Sequence, residues 1–182
     1  MAGRSSRKKA RQLSVNRAPV MTLWAAVVAE RLGFDRDEAL TLGRAVAGLN
    51  AYAKGKALGL FHPRPAEVKR ARRRLAKGKE IQVALLHRAV PALRTPDGVR
   101  ALSKGRPIAP ESVERYLEKK FGELLPDVRA ALTALARSLP PAELAERGYG
   151  LYEAFRPDVP AGRRGWGAAG ILDLDRIREL AE

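Results

Sequence analysis

Between Arg17 and Glu30 the chain runs from Ala18 to Ala29 without a single charge. Val20, Leu23, Trp24, Val27 and Val28 fall on one helical stripe there, and Ala25 and Ala26 widen it. So broad an apolar face places this helix at the centre of the fold, with the rest of the chain packed around it. The stretch is too short to cross a bilayer, which takes about 20 residues. Leu32-Gly33 closes it, Gly33 being suited to the left-handed turn that follows a helix.

Further helices are written in the same periodicity. From Asp35 to about Lys56, acids (Asp35, Asp37, Glu38) open the segment and Lys54 and Lys56 close it, as the helix dipole favours. Leu42, Val46, Leu49 and Ala53 form its apolar stripe, and Ala39, Gly43, Ala47 and Ala51 form a row of small residues that lets another helix approach. Residues 66–77 predict a helix whose narrow stripe is Val68, Ala71 and Leu75. From Pro110 on, the stripes Val113/Tyr116/Leu117, Val128/Leu132/Leu135 and Leu144/Gly148/Leu151/Phe155 predict three helices packed as antiparallel neighbours. A short terminal helix over 172–180 carries Leu174, Ile177 and Leu180.

The stretch 80–109 is the least helical. Ile81, Val83 and Leu85 alternate with Gln82, Ala84 and Leu86, which suggests one short strand. Pro91, Pro96-Asp97-Gly98 and Lys104-Gly105 are turn signals. The expected fold is therefore mainly α. It is a single-domain helical bundle over 18–182, with N-terminal helices in 18–79, a connecting segment or hairpin in 80–109 and C-terminal helices in 110–182. The alternative is an α+β domain in which 80–109 forms a real sheet. Residues 1–17 lack apolar periodicity and are dense in Arg, Lys and Ser, so they are expected to be a disordered basic arm.

Composition narrows the function. The 182 residues contain no cysteine and only His62 and His87, which excludes disulfide scaffolds, Cys-ligated zinc, iron–sulfur clusters and cysteine catalysis. No cofactor and no metal is expected. Net charge is +15, and it is uneven. Bases exceed acids by 6 in residues 1–18, by 1 (5 against 4) in 19–62, by 6 (8 against 2) in 63–80 and by 4 (5 against 1) in 81–109. In 110–182 the acids lead by 2 (13 against 11). Such an excess calls for a polyanionic partner contacted from the first 109 residues, with the C-terminal helices serving folding, a partner or self-association. The chain is expected in the cytoplasm, away from membranes.

The sharpest motif is Lys69-Arg70-x-Arg72-Arg73-Arg74-x-x-Lys77, followed by Lys79. Cations crowded on one helix repel one another by a few tenths of a kcal/mol per close pair, and a phosphate backbone relieves that repulsion. Arg4, Arg7, Lys8, Lys9 and Arg11 of the arm offer the same chemistry. Arg163, Arg164 and Trp166, in the loop Gly162-Arg163-Arg164-Gly165-Trp166-Gly167, add two cations and a ring able to stack on a base. That loop also spells G-x-G-x-x-G at 165–170, but no strand precedes it and no acid follows about 20 residues later, so a dinucleotide fold is rejected. Residues 29–43 have helix-turn-helix spacing, yet Asp35, Asp37 and Glu38 stand where such a motif meets phosphates. Asp173-x-Asp175 reads as a helix opening. No P-loop, nucleophile or metal-ligand constellation appears. The expectation is a non-enzymatic nucleic-acid-binding protein of low sequence specificity. Its alternatives are an adaptor whose basic helix docks on an acidic protein, and an enzyme with an unrecognised site.

Overall fold

Helix α1 (Arg17–Arg31) occupies the middle of the molecule, and every side chain from Pro19 to Ala29 is buried. The computed structural model describes residues 12–57, 80–160, 162 and 168–182. Trp24 anchors α1: its indole N–H donates to the Gly148 carbonyl at 2.9 Å, and its ring meets Phe155 edge-on at 5.3 Å. Gly33, at φ +110, turns the chain into α2 (Arg36–Ala57). The row Ala39, Gly43, Ala47 lies against α1, so close that a Cβ on Gly43 would stand 2.9 Å from the Ala26 nitrogen and collide with the Thr22 carbonyl. The small-residue row thus does what its spacing predicts.

A four-stranded antiparallel sheet follows, in the order β2 (Glu80–Leu85), β3 (Arg88–Thr95), β4 (Gly98–Ser103), β5 (Arg106–Pro107). Val83 pairs with Val90, and Ala92 with Ala101. These residues, with Leu85 and Val99, turn one face of the sheet into the core. The β2–β3 loop is two residues, Leu86 and His87, both left-handed at φ 48 and 62. Lys104-Gly105 makes a similar turn between β4 and β5, at φ 51 and 75.

Three helices then pack on α1 and α2: α3 (Pro110–Phe121), α4 (Leu125–Arg137) and α5 (Pro141–Phe155). Each has proline in its first turn, where the missing N–H costs nothing. A second sheet joins the two ends of the described chain. In it β1 (Gln12–Asn16) pairs antiparallel with β6 (Ala169–Asp173), Gln12 opposite Asp173 and Asn16 opposite Ala169. Helix α6 (Leu174–Leu180) closes the chain, its first turn capped by the Asp173 carboxylate, which accepts the Asp175 N–H at 3.0 Å.

The architecture is therefore α+β, with two antiparallel sheets, and the expected mainly α helical bundle is corrected. Residues 80–109 are a sheet instead of an irregular connection, because the strands pair through local hairpins and bury alternate residues on the helices. The expected arm is also shortened. Residues 12–16 are strand and Arg17 opens α1, since Leu13 and Val15 point into the core while Gln12 and Ser14 face solvent. Residues 1–11 lie outside the described residues.

Candidate nucleic-acid interface

All fifteen residues expected to contact nucleic acid lie outside the described residues. They are Arg4, Arg7, Lys8, Lys9 and Arg11; Lys69, Arg70, Arg72, Arg73, Arg74, Lys77 and Lys79; and Arg163, Arg164 and Trp166. The predicted basic helix 66–77 lies there as well. The described residues fix where those segments are attached and how charge is divided. Of the 35 Lys and Arg, 15 lie outside the described residues, leaving 35 − 15 = 20. Of the 20 Asp and Glu only Glu67 does, leaving 20 − 1 = 19. The described body carries 20 − 19 = +1, and the remaining segments 15 − 1 = +14.

The attachment points are set by the sheets. The β1–β6 register puts Gln12, where the arm joins, at one end of its ribbon and Ala169, where the Gly-rich loop joins, at the other. Four residue steps separate those ends, about 14 Å at ~3.4 Å each. Helix α2 delivers the chain to the 58–79 segment and β2 takes it up. The direction of α2 is read from three side chains. Glu38 Oε2 accepts the Val99 N–H at 2.7 Å, Thr41 Oγ1 accepts the Ala101 N–H at 3.1 Å, and Asn50 Oδ1 accepts from Arg88 at 3.0 Å. Helix α2 therefore packs across β4 and β3 and runs from the β3–β4 turn toward the β2–β3 turn, in the same direction as β2. Ala57 and Glu80 stand at opposite ends of the sheet, separated by at least the length of β2, about 17 Å.

Glu38 does two jobs at the start of α2. Its Oε1 accepts the Asp35 N–H at 3.0 Å, while Asp35 Oδ1 accepts the Glu38 N–H at 2.8 Å, a reciprocal cap. Its Oε2 satisfies the edge of β4. The first turn of α2 is thus closed by acids and tied to the sheet, and Ala39 to Gly43 are buried. That turn stays exposed at Asp35, Arg36 and Asp37, and its carboxylates, rather than burial, tell against a helix-turn-helix contact with phosphates by residues 29–43.

Several cations of the body are engaged internally. Arg36 pairs with Glu114 at 2.9 Å, Arg147 with Glu143 at 2.8 Å and Arg178 with Asp175 at 2.9 Å. Arg17 donates to the Pro157 carbonyl at 3.0 Å, and Arg31 to the Leu139 carbonyl at 3.3 Å. Arg44 and Lys120 meet an aromatic ring instead of an acid. The Arg44 guanidinium lies 4.7 Å over the Tyr116 ring, and the Lys120 ammonium 6.0 Å from it. Burial raises the Tyr116 hydroxyl pKa, with Arg44 pulling against it. The sequence reading missed this trio, although Arg44 is the lone charge between Glu38 and Lys54.

A cleft of about 240 Å³ lies between α1 and α4, lined by Val27, Glu30, Arg31, Thr133, Ala136 and Arg137. Its arginines stand at helix C-termini, where the dipole favours them. Among the described residues no group of three or more His, Asp or Glu is placed to hold a metal ion. None of their helices is long and apolar enough to cross a membrane. His87 stands at the β2–β3 tip, where Nε2 is 3.1 Å from the Glu146 carbonyl. His62 lies outside the described residues. No protein-family model, no curated protein and no solved structure matches this chain.

Proposed function

We propose that this protein binds nucleic acid through its phosphates, with low sequence specificity and without catalysing a reaction. The observation that carries the reading is the clustering of charge along the chain: bases exceed acids by 6 in residues 1–18 and by 6 in residues 63–80, while acids lead by 2 in 110–182. A folded domain of this size has no need of such an excess for solubility, and it concentrates the cations where they repel one another. Binding a phosphate backbone removes that repulsion and releases condensed counterions. Phosphate contacts set position and carry no base information, so affinity varies little among sequences. A cytoplasmic location goes with this reading.

The test is a titration of the purified chain with duplex DNA, single-stranded DNA and RNA at several salt concentrations. The triple variant Arg72→Ala/Arg73→Ala/Arg74→Ala is the comparison. If each arginine neutralises a phosphate, the slope of log K against log salt for duplex DNA falls by about 2.7, at ~0.9 per contact. The fall is alike for unrelated sequences. An unchanged slope in the folded variant overturns the role of this cluster. Loss of one protein partner with nucleic-acid binding intact would favour the adaptor reading instead.

A further inference from the structure

We infer that Arg44, Tyr116 and Lys120 form a second nucleic-acid contact, on the folded body, that takes an unpaired base and its flanking phosphates. The inference rests on the nucleic-acid reading above and narrows its substrate class to single strands.

The trio joins two helices, and the acids of α3 are kept away from it. Arg44 is exposed, and no ion pair among the described residues includes Arg44 or Lys120. On α3, Tyr116 and Lys120 are one turn apart on the same flank, while Glu111, Glu114 and Glu118 fall on the opposite flank at 100° per residue. Glu114 is itself occupied by Arg36. The flank bearing Tyr116 is therefore cationic, with Lys119 exposed beside it.

The geometry suits a base better than a bare phosphate. A guanidinium is planar, so an exposed one beside a ring can stack on a nucleobase while its in-plane N–H groups reach phosphate oxygens. Holding Arg44 on Tyr116 in advance lowers the entropy lost on binding. One turn further along α2, Gly48 is exposed, and a Cβ built there meets nothing within 4 Å among the described residues. A flat ligand beside Arg44 thus finds bare backbone next to it. Tyr52, 40% exposed, follows one turn later. Duplex DNA keeps its base faces stacked inside, so the surface can offer it phosphate contacts alone.

The test is fluorescence anisotropy of labelled oligo(dT) and of a labelled duplex of equal length, at several salt concentrations. It compares the wild type with Arg44→Ala/Lys120→Ala, Arg44→Lys and the triple arginine variant described above, all with melting curves recorded. For the double variant, oligo(dT) binding weakens about tenfold. Its salt slope falls by about 1.4, at ~0.7 per contact for a single strand. Duplex binding changes far less. Arg44→Lys keeps the slope and weakens oligo(dT) severalfold, since charge remains and stacking is lost. If both Arg44 variants bind oligo(dT) as the wild type does while the triple variant is weakened, the inference fails and the broader reading stands. Equal losses on oligo(dT) and duplex overturn the single-strand assignment. If the wild type binds neither probe at low salt, both readings fall.

Discussion

Gly43 and Gly48 stand five residues apart on α2 under opposite constraints. A methyl at Gly43 meets the backbone of α1, with Ala26 N at 2.9 Å, whereas a methyl at Gly48 meets nothing among the described residues. Backbone cannot swing aside as a side chain can, so Gly43→Ala is expected to cost roughly 1–3 kcal/mol by overpacking. Gly48→Ala should stabilise by up to about 1 kcal/mol, because only helix propensity changes. Chemical denaturation of the two variants checks both signs, and a stabilised Gly43→Ala protein would mean the α1–α2 contact is drawn too tight. Tyr152 makes a second prediction at this scale. Its ring is buried between Tyr149 and Phe155, and burial raises its hydroxyl pKa well above the usual tyrosine value, with Arg17 and Arg156 pulling back. Up to about pH 10 both folded and unfolded chains keep the proton. Above that the unfolded chain releases it first, so stability falls as pH rises, by at most ~1.4 kcal/mol per pH unit for this group. Tyr152→Phe should make the alkaline decline shallower in urea titrations at increasing pH; an identical decline would sink the assignment to Tyr152.

Among the elements, β1 is the one whose role is easiest to test. Val15 is 4% exposed in a five-residue strand paired only with β6. Val15→Ala removes two buried carbons and leaves a gap, an expected loss of roughly 2 kcal/mol. Thermal melts decide it: an unchanged melting temperature would return this segment to the status of a tail. The helices α1 to α5 were legible because they carry their own evidence, with a stripe at helical spacing, acids or proline near the start and glycine or proline near the end. The sheets were only half legible. Pro96-Asp97-Gly98 and Lys104-Gly105 announced their turns, but Leu86-His87 did not, since a leucine does not favour a left-handed backbone. That turn is held from a distance. Leu86 is 3% exposed and fits a notch at Gly148, where an added Cβ would stand 2.6 Å from its Cδ2. His87 meets the Glu146 carbonyl. No local window of sequence contains these partners. The same holds for β1 and β6, whose alternation in Leu13 and Val15 was visible but whose pairing is not local. Of the candidate interface, the cationic segments were legible as chemistry. Arg44, Tyr116 and Lys120 were not, because helix packing alone brings Arg44 to the ring.

For the molecule as a whole, the clustering of bases in residues 1–18 and 63–80 predicts that binding and stability respond differently to salt. The body is near neutral and its ion pairs are mostly surface contacts worth little each. Raising salt from about 50 mM to about 200 mM should reduce nucleic-acid affinity by orders of magnitude if several phosphates are contacted. The melting temperature should hardly move over the same range. A melting temperature that tracks affinity would show that the cationic segments contribute to the folded core. The β1–β6 ribbon bears on how the molecule is made. Strand β1 leaves the ribosome early, and its partner is about 150 residues behind it. At ~5–20 residues per second, β1 waits on the order of ten seconds or more with an unpaired edge. The ribbon shuts only once residues 169–173 have been made, so completion of this part of the core waits on a partner far along the chain.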